Sequence, residues 1–535
     1  MADCAPLVAS FGMSDEDDDV HVSPELATSS ICSSRSSQPF HKTHIAYIRS
    51  RFPNRRSVVY FESFLEPRHI SGNPTETKAS KPLTFYHGKK VHRYNCVINT
   101  LKHAGLSEQS TKLSDSATCC LVWNNQPEPD LARSLGPLVK FNHFPASWHL
   151  GRKDLLADHL NTCRRTHGNA YDFFPTTYVL PRDQDRAQTS PVQLWIWKPT
   201  NASCGRGIKL IQGCDLVDKK KLLSKPGILQ RYISRPLLIE GRKFDLRIYV
   251  LVTSYDPLKV YVYGEGLVRR ASQPYDTKKT HISSTCMHLT NYSVNRKTPD
   301  YLKHDDRDDE ENINPIARSK WSLEELRIYL LKSQGIAFEP IFENIKKLAV
   351  KTIMAVEPVI TTGLHQSTNY TKCKELNIRP YGNMFEIYGF DVLIDEDLKP
   401  WLLEVNVEPS LSSSSPFDKR VKTGLVADAL MCAGILDRRG WKAERPREAG
   451  SGKVRNVLAF KGKQGVEEFD DSDWDLVFET ADEWTRTGKW IPVFPDGVAQ
   501  SSYLSTRRYN NEVLERWLKY GAINLLDCTL LSSEI

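Results

Sequence analysis

The segment WLLEVNVEPSL, residues 401–411, has the apolar content of a buried strand but carries two polar side chains inside it. Glu404 and Asn406 are two residues apart, so in a strand they point to the same face, about 7 Å from each other. A buried carboxylate is unfavourable unless it is paired with another group or binds a metal. The segment therefore predicts a polar site on one face of a buried strand.

A second strand-like segment directly before this one supplies a partner. It is FEIYGFDVLID, residues 385–395, and the polar turn DEDLKP joins the two. A hairpin of these strands brings Asp391 close to Glu404 and Asn406. Two carboxylates and an amide oxygen suit Mg²⁺, which usually completes its coordination with water and nucleotide phosphate. For Glu-x-Asn alone a hydrogen-bonded strand end is the alternative, but the Gly-Phe-Asp strand favours the metal.

Two further segments have features of a nucleotide site. WKPTNASCGRGI, residues 197–208, places Lys198 at a strand end before a loop with Gly205 and Gly207. Glycines let backbone N–H groups approach phosphates closely, although such loops are common and this one matches neither standard nucleotide fingerprint. QRYI, residues 230–233, changes from polar to apolar, a pattern that can hydrogen-bond a purine edge.

The segment KFDLRIYVLVTS, residues 243–254, alternates between polar and apolar side chains and predicts a strand. Lys243, Asp245 and Arg247 share one face, and the other face is apolar. A solvated sheet face is the alternative interpretation. Because an apolar outer face is typical of a central strand, we expect the polar face to look into a cleft.

The remaining pattern predicts a mixed α/β body in which strands and helices alternate. Apolar spacing predicts strands at 118–123 and 193–199, and helices at 151–165, 321–333 and 341–356. The highly charged segment 302–318 predicts a mobile loop and is a candidate lid, with an inert solvated insertion as the alternative. Two amphipathic stretches, 482–495 and 508–521, are expected to pack back on the core.

The composition is that of a soluble globular protein. The chain has 535 residues, 40% hydrophobic and 26% charged, and this length predicts about two to four domains. No apolar run reaches the ~18 residues of a membrane helix, so we expect neither a membrane segment nor a signal peptide. The twelve cysteines are scattered without CxxC pairs, which indicates reduced thiols.

Taken in order, these segments resemble the tubulin tyrosine ligase-like amino acid ligases, over about residues 135 to 435. The resemblance is carried by WKP with Lys198, CGRGI (204–208), QRYI (230–233), GRKFDLRIYVLVTS (241–254), EGLVR (265–269), HLTNYSVN (288–295), GFDVLID (389–395) and KPWLLEVNVEPSL (399–411). KFNHFPASWHLGRKDLL (140–156) and VTSYDPLKVYVYGEGLVR (252–269) are similar to the glutamate-adding branch, above all to polyglutamylases that initiate side chains.

The resemblance implies an ATP-grasp fold, an α/β architecture of mixed sheets with flanking helices. The expected organisation is a largely disordered N-terminal region (1–80), an N-terminal α/β subdomain (81–190), a central ATP-grasp subdomain (191–245), a C-terminal ATP-grasp subdomain with the metal site (246–436), and a basic then helical extension, expected to bind microtubules (437–535).

The resemblance also implies the roles of individual residues. Asp391, Glu404 and Asn406 are expected to hold Mg²⁺, and Arg247, Lys198 and Glu404 to be catalytic. The residues expected to contact ATP are Lys198, Cys204, Gly205, Gln230, Arg231, Tyr232, Ile233, Lys243, Asp245, Thr290 and Asn291. Those expected to hold free L-glutamate are Arg269, Tyr292, Ser293, Lys320 and Lys422. Two positions depart from the family pattern: Cys204, where several relatives have Arg or Gln, and Glu408, an additional acid beside Asn406.

The implied activity is ATP- and Mg²⁺-dependent ligation of glutamate to glutamate γ-carboxylates in acidic protein tails, chiefly of tubulin, through an acyl phosphate. Arg269 favours glutamate over glycine, because a guanidinium forks to a side-chain carboxylate that glycine lacks. The alternatives are a glycine or tyrosine ligase of the same family and a catalytically inactive microtubule-binding protein.

The expected partners are tubulin and microtubules, with other acidic proteins as further substrates. Residues 437–463 carry nine Lys or Arg against three Asp or Glu, which attracts acidic surfaces, with a disordered linker of accidental charge as the alternative. The same segment has few aromatics to stack on bases, so we expect no nucleic acid partner. We expect a monomer in the cytoplasm and cytoskeleton, with the cilium and basal body as further locations.

Overall fold

The computed structural model describes most of the chain between residues 44 and 521. The described residues are 44–50, 52, 55–63, 74–78, 82–109, 118–200, 205–276, 285–295, 318–376, 378–413, 415–438, 469–496 and 501–521. Several predicted features lie outside them: residues 1–43 of the N-terminal region, Cys204, most of the charged loop 302–318 and most of the basic segment 437–463.

Strands and helices alternate through the described residues. The strands are β1 (His44–Ile48), β2 (Val58–Val59), β3 (Thr75–Lys78), β4 (Thr84–His87), β5 (Ser107–Glu108), β6 (Cys119–Trp123), β7 (Lys140–Phe141), β8 (Thr177–Leu180), β9 (Leu194–Pro199), β10 (Lys209–Gln212), β11 (Gly227–Arg231), β12 (Leu238–Ile239), β13 (Arg242–Tyr255), β14 (Leu258–Arg270), β15 (Lys320–Ser322), β16 (Glu386–Ile394), β17 (Pro400–Asn406) and β18 (Trp490–Phe494). The helices are α1 (Asn95–His103), α2 (Pro129–Leu135), α3 (Trp148–Gly151), α4 (Lys153–His167), α5 (Gln184–Gln188), α6 (Lys220–Leu223), α7 (Thr285–His288), α8 (Tyr292–Asn295), α9 (Leu323–Gln334), α10 (Glu339–Gln366), α11 (Tyr370–Glu375), α12 (Pro416–Ala433), α13 (Asp471–Trp484) and α14 (Tyr509–Gly521). No helix within the described ranges is long and apolar enough to cross a membrane.

Four sheets organise these elements, and the predicted mixed α/β body is confirmed. One sheet has the order β2-β1-β3, and a parallel sheet has the order β5-β4-β6-β7. An antiparallel sheet has the order β10-β9-β11-β8. The largest sheet is antiparallel with the order β15-β14-β13-β16-β17, and β12 and β18 pair with β13 and β14.

The central strand of the largest sheet is β13, and its predicted alternation is confirmed. Leu246, Ile248 and Val250 face the core that α9 and α10 cover. On the opposite face, Tyr249 and Leu251 join a second core, which includes residues of α1 and α12. Because both faces of the later part of β13 are covered, only its first residues have charged side chains, and those of Lys243 and Asp245 line a cleft.

The predicted hairpin of β16 and β17 is also confirmed. Asp391 lies directly opposite Glu404, and Gly389 lies opposite Asn406. The register shifts between the Asp391–Glu404 pair and the Val392–Leu402 pair, which leaves Leu403 as the extra residue of a β-bulge. The bulge interrupts regular pairing directly beside the Asp391–Glu404 pair.

Ordered strands occupy part of the region 1–80, which the composition predicted to be largely disordered. The strands β2 and β3 pair with the two edges of β1, and Val59 donates a backbone hydrogen bond to the Ile435 carbonyl at 2.8 Å. Ile45 and Val59 are buried. Short apolar runs in a polar sequence have no periodicity of their own, so their docking beside α12 was not visible in the composition.

The two C-terminal stretches pack on the core, as predicted. The edge strand β18 pairs with β14, and α13 places Glu483 under the sheet. The buried Glu483 carboxylate accepts hydrogen bonds from Lys259 at 2.6 Å, from Tyr261 at 2.5 Å and from Thr253. A buried ammonium and a buried carboxylate thus neutralise each other where the extension meets the sheet.

We predict that Glu483→Gln lowers stability strongly. The change leaves the buried Lys259 ammonium without its close carboxylate, and breaking a buried pair in this way costs about 3–5 kcal/mol. Thermal and denaturant unfolding measure the loss. The matched control is Glu324→Gln, which removes an exposed i,i+3 pair with Arg327 and should cost less than about 1 kcal/mol. Equal losses in the two variants would contradict this account.

Candidate functional site

A cleft of about 780 Å³ opens between the four-stranded antiparallel sheet and the polar end of the largest sheet. Asp391 and Glu404 line it, and so does every residue that the resemblance relates to ATP and that the structure describes. These residues are Lys198, Gly205, Gln230, Arg231, Tyr232, Ile233, Lys243, Asp245, Thr290 and Asn291. Residues from six separate segments of the chain therefore converge on one cavity.

Two buried lysines stand on opposite walls of this cleft. Lys198, on β9, donates hydrogen bonds to Gln230 Oε1 at 2.9 Å and to the Leu403 carbonyl at 3.3 Å. Lys243, on β13, donates to Tyr232 Oη at 3.1 Å and to the His288 carbonyl at 3.0 Å. All four partners are uncharged, and neither lysine forms an ion pair in the described part of the chain. Each ammonium thus lacks the counter-ion that a phosphate would supply.

Burial strongly affects the protonation of both lysines. Loss of water lowers the pKa of Lys198 to about 8, and Glu404 offsets this only in part. Burial also lowers the pKa of Lys243 to about 7, although Asp245 opposes the shift. The positive form is therefore costly without a bound anion and becomes favourable once an anion binds.

Charged side chains of alternating sign cross the largest sheet beside the cleft. Asp245 lies opposite Arg269, and Arg247 lies opposite Asp391. The Arg269 guanidinium forks to both Asp245 oxygens at 2.8 Å and reaches Asp391 Oδ2 at 2.9 Å. Arg247 Nε donates to Asp391 Oδ1 at 2.6 Å. Burial alone would raise the pKa of the Asp391 carboxyl, but the two guanidinium groups hold it well below its usual range.

The three predicted metal ligands all lie on the β16–β17 hairpin, where Asp391 is paired with Glu404 and Asn406 with Gly389. Asp391 and Glu404 line the cleft, whereas Asn406 is not among its lining residues. Glu404 is half-buried, with Lys153 Nζ at 3.6 Å from its carboxylate. The Asn406 amide lies near the Gly389 carbonyl, with Nδ2 at 3.4 Å. Across the described ranges, no group of three or more Asp, Glu, His or Cys side chains is arranged to hold a metal alone. The donor set still fits a hard cation that takes two carboxylates, one amide oxygen and the rest from phosphate and water.

Two lysines, Lys320 and Lys422, form a second cationic group next to Arg269. Lys320 is paired directly opposite Arg269. Lys320 Nζ donates to Asp418 Oδ2 at 2.8 Å, and Lys422 Nζ lies 3.1 Å from Asp418 Oδ1. Asp418 is fully buried in the first turn of α12, where its backbone N–H donates to the N-cap Ser415 Oγ. One buried carboxylate therefore holds the two lysines together.

Of the remaining residues predicted to hold glutamate, Tyr292 and Ser293 begin α8, and their side chains lie outside the described part of the structure. Three residues of this region were missed in the sequence. Lys153 faces Glu404, His288 contacts Tyr232 and Lys243, and Asp418 joins Lys320 to Lys422. For Asp418 the Ser-Pro-Phe-Asp start of α12 is a helix-cap signal, but nothing in it indicates the lysines.

Comparison with known proteins gives a consistent result. Residues 132–440, more than half of the chain, match the tubulin-tyrosine ligase family. The chain is 34% identical to the tubulin monoglutamylase TTLL4 of Homo sapiens over 535 aligned positions, which cover 91% of this chain and 41% of that protein.

Two other relatives are similar over shorter stretches. The chain is 39% identical to the tubulin polyglutamylase TTLL5 of Mus musculus over 321 positions, covering 59% of this chain and 23% of that protein. It is 35% identical to the probable beta-tubulin polyglutamylase of Tetrahymena thermophila over 367 positions, covering 67% and 28%. The chain thus spans less than half the length of each of these three curated relatives.

We predict that Lys243→Met stabilises the ligand-free protein and that the gain shrinks as pH rises. The pKa of Lys243 is about 7 when folded and near 10.5 when unfolded, so the unfolded chain binds more protons between these values. The penalty is complete below about pH 7 and disappears toward pH 10. Thermal midpoints of both proteins from pH 6.5 to 9.5 test this, and a constant or widening gap would contradict it.

Proposed function

This chain belongs to the tubulin-tyrosine ligase family, and on that basis we propose that it is an ATP-dependent carboxylate–amine ligase that adds glutamate to acidic protein tails, chiefly those of tubulin. The observation that carries the proposal is the cleft in which Lys198 and Lys243 lack counter-ions beside the Asp391–Glu404 pair. Such a cleft suits a nucleoside triphosphate with a bound divalent cation. The names of the three relatives support glutamate as the amino acid.

We also propose that the fold is of the ATP-grasp type. The antiparallel sheet β8–β11 and the polar end of the largest sheet flank the cleft from two sides. Lys198 comes from the first sheet and Lys243 from the second, so a nucleotide would be held between them. This two-walled arrangement supports the fold that the resemblance implies.

The proposed reaction has two steps. A tail γ-carboxylate oxygen attacks the γ-phosphorus of ATP, ADP leaves, and an acyl phosphate forms. The amine of free glutamate then attacks the carbonyl carbon, inorganic phosphate leaves, and the amine gives up its proton as the amide forms. Phosphoryl transfer depends mainly on positioning and on charge stabilisation, and Arg247, Lys198 and Lys243 would supply fixed positive charge to the phosphates.

The residues that would hold Mg²⁺ are Asp391, Glu404 and Asn406. Bound there, the ion would neutralise phosphate charge. Asp391 stays ionised because Arg247 and Arg269 hold it, so it can share its oxygens between a guanidinium and a cation. Lys153 Nζ lies close to the Glu404 carboxylate and would be a further positive charge for either the phosphates or that carboxylate.

The cationic group of Arg269, Lys320 and Lys422 supports a dicarboxylic amino acid as the second substrate. Free glutamate brings two carboxylates and one ammonium, and Asp418 supplies a buried negative charge between the lysines. Glycine and tyrosine lack the side-chain carboxylate, so with either of them Lys320 and Lys422 would have to share the single Asp418 carboxylate. An inactive microtubule-binding protein remains the alternative outside the ligases, and the retained charged cleft opposes it.

We further propose that the chain acts as a monomer on microtubules in the cytoplasm and cytoskeleton, with the cilium and basal body as further locations. The excess of Lys and Arg in residues 437–463 supports attraction to acidic microtubule surfaces. Other acidic proteins are further candidate substrates by the same charge argument. The relatives' names include both mono- and polyglutamylases, so an experiment has to determine how many glutamate residues are added.

We predict that the purified protein adds labelled glutamate, and not labelled glycine, to microtubules in the presence of Mg-ATP. Mass spectrometry of the tails should show steps of one glutamate residue. Glu404→Gln should reduce the rate at least about 100-fold, because it removes one carboxylate of the proposed metal site. Steps of glycine would refute the specificity argument, and ATP binding without transfer would favour the inactive binder.

We predict that Asp418→Asn raises the KM for free glutamate by about tenfold or more and leaves the KM for ATP nearly unchanged. Without the carboxylate, Lys320 and Lys422 repel each other and lose their common anchor, which corresponds to about 1.4 kcal/mol or more. Steady-state kinetics with each substrate varied measures this. Asp130→Asn, at an exposed ion pair, is the matched control. A change confined to kcat, or an equal change in both KM values, would count against the role.

A further inference from the structure

A second cavity lies apart from the nucleotide cleft and shares none of its lining residues. Its lining includes His92, Trp123, His143, Ile387 and Glu408. The proposed reaction leaves it unused, because ATP, the cation and free glutamate are all accounted for by other residues. The acidic acceptor chain is the one reactant without a binding site.

The position of this cavity favours a ligand that continues from the reaction centre. It lies at the carboxyl ends of the parallel strands β4, β6 and β7, the usual place for ligands in such sheets. Ile387 lines it and is on the same face of β16 as Asp391, four residues further on. Four residues of extended strand span about 13 Å. The two sites are therefore separated by about four residues of an extended peptide.

His143 provides a directed hydrogen-bond donor in this cavity. Its side chain is more than nine-tenths buried, and Nδ1 lies 2.6 Å from the fully buried Glu386 carboxylate. The same carboxylate accepts from Phe144 N–H and Tyr388 Oη. Burial alone lowers the pKa of His143, but Glu386 outweighs it and the net shift is upward. The Nε2 atom has no partner within the described residues, so its proton is available to a ligand.

Two exposed lysines directly precede the lining of the cavity in the chain. Lys89 and Lys90 form an exposed turn just before Val91, which lines the cavity, and neither forms an ion pair in the described part of the chain. Exposed His92 follows, whereas Arg93 is already engaged by Glu108. Glu408 is the only carboxylate among the lining residues. Two lysines against one carboxylate suit the binding of an acidic segment.

We propose that this cavity binds a carboxylate side chain of the acceptor segment, about four residues from the glutamate under modification, while the segment runs extended past the Lys89–Lys90 turn. His143 Nε2 donates to that carboxylate, and the two lysines attract the flanking acids. The identity of the acceptor rests on the proposed function. The binding itself does not, because it requires neither ATP nor turnover.

The first test measures binding of a fluorescent Glu-rich peptide and its Gln-substituted counterpart to the full chain by anisotropy. Lys89→Ala with Lys90→Ala should weaken binding of the acidic peptide about fivefold. The matched control, Lys219→Ala with Lys220→Ala, removes two exposed lysines at the start of α6 and should change little. Equal weakening in both double variants, or equal binding of the two peptides, would overturn the proposal. A protein that binds as expected but does not ligate glutamate would refute only the proposed function.

The second test locates the carboxylate. The peptides are Gln-rich and carry one modifiable Glu and one further Glu, placed two to six residues from it. Their binding should be tightest when the two Glu residues are about four residues apart. His143→Gln, which keeps a donor toward Glu386 but removes the imidazole Nε2, should abolish that preference. Glu408→Gln, at an exposed position, should instead tighten acidic peptides about twofold to threefold. Absence of a preferred spacing in the unaltered protein, or weaker binding by Glu408→Gln, would overturn the proposal.

Discussion

The buried charge lattice of Asp245, Arg269, Asp391 and Arg247 is the constraint on which the site depends. Each aspartate is held by at least one guanidinium at hydrogen-bond distance, and Arg269 bridges both. Buried ions are tolerated only when the geometry is good and the remaining donors and acceptors are satisfied. Neighbouring strands must therefore keep their register, because a slip would separate each aspartate from its guanidinium partner.

Two groups of charges around the proposed nucleotide cleft are balanced in opposite ways. On the sheet face, arginines and aspartates neutralise one another before any ligand arrives. At Lys198 and Lys243 the protein instead supplies only neutral oxygen acceptors. The first arrangement holds the side chains rigidly. The second leaves two buried ammonium groups without a counter-ion, which a polyphosphate can supply. Sites that bind anions tightly often give up some stability of the empty protein in this way.

The sequence alone predicted the elements that have strong periodicity. The alternation in β13, the β16–β17 hairpin and the main helices followed from spacing, and the cleft residues came with the family resemblance. The Asp418 link joins positions about one hundred residues apart, and no local pattern encodes such a contact. Lys153 and His288 were missed for the same reason, since each acts through a neighbour that folding brings close. The short strands β1 to β3 have too few residues to show a period.

The edge strand β18 has a consequence for how the family region folds. The family match ends at residue 440, yet β18 covers residues 260–263 of β14 with strand pairing from positions 490–494. At the other side, residues before the match donate to Ile435. A chain cut to 132–440 would expose unpaired backbone groups along β14 and a buried ammonium at Lys259, and such edges recruit other chains. The flanking segments thus cover an edge and a buried charge that the family region leaves open.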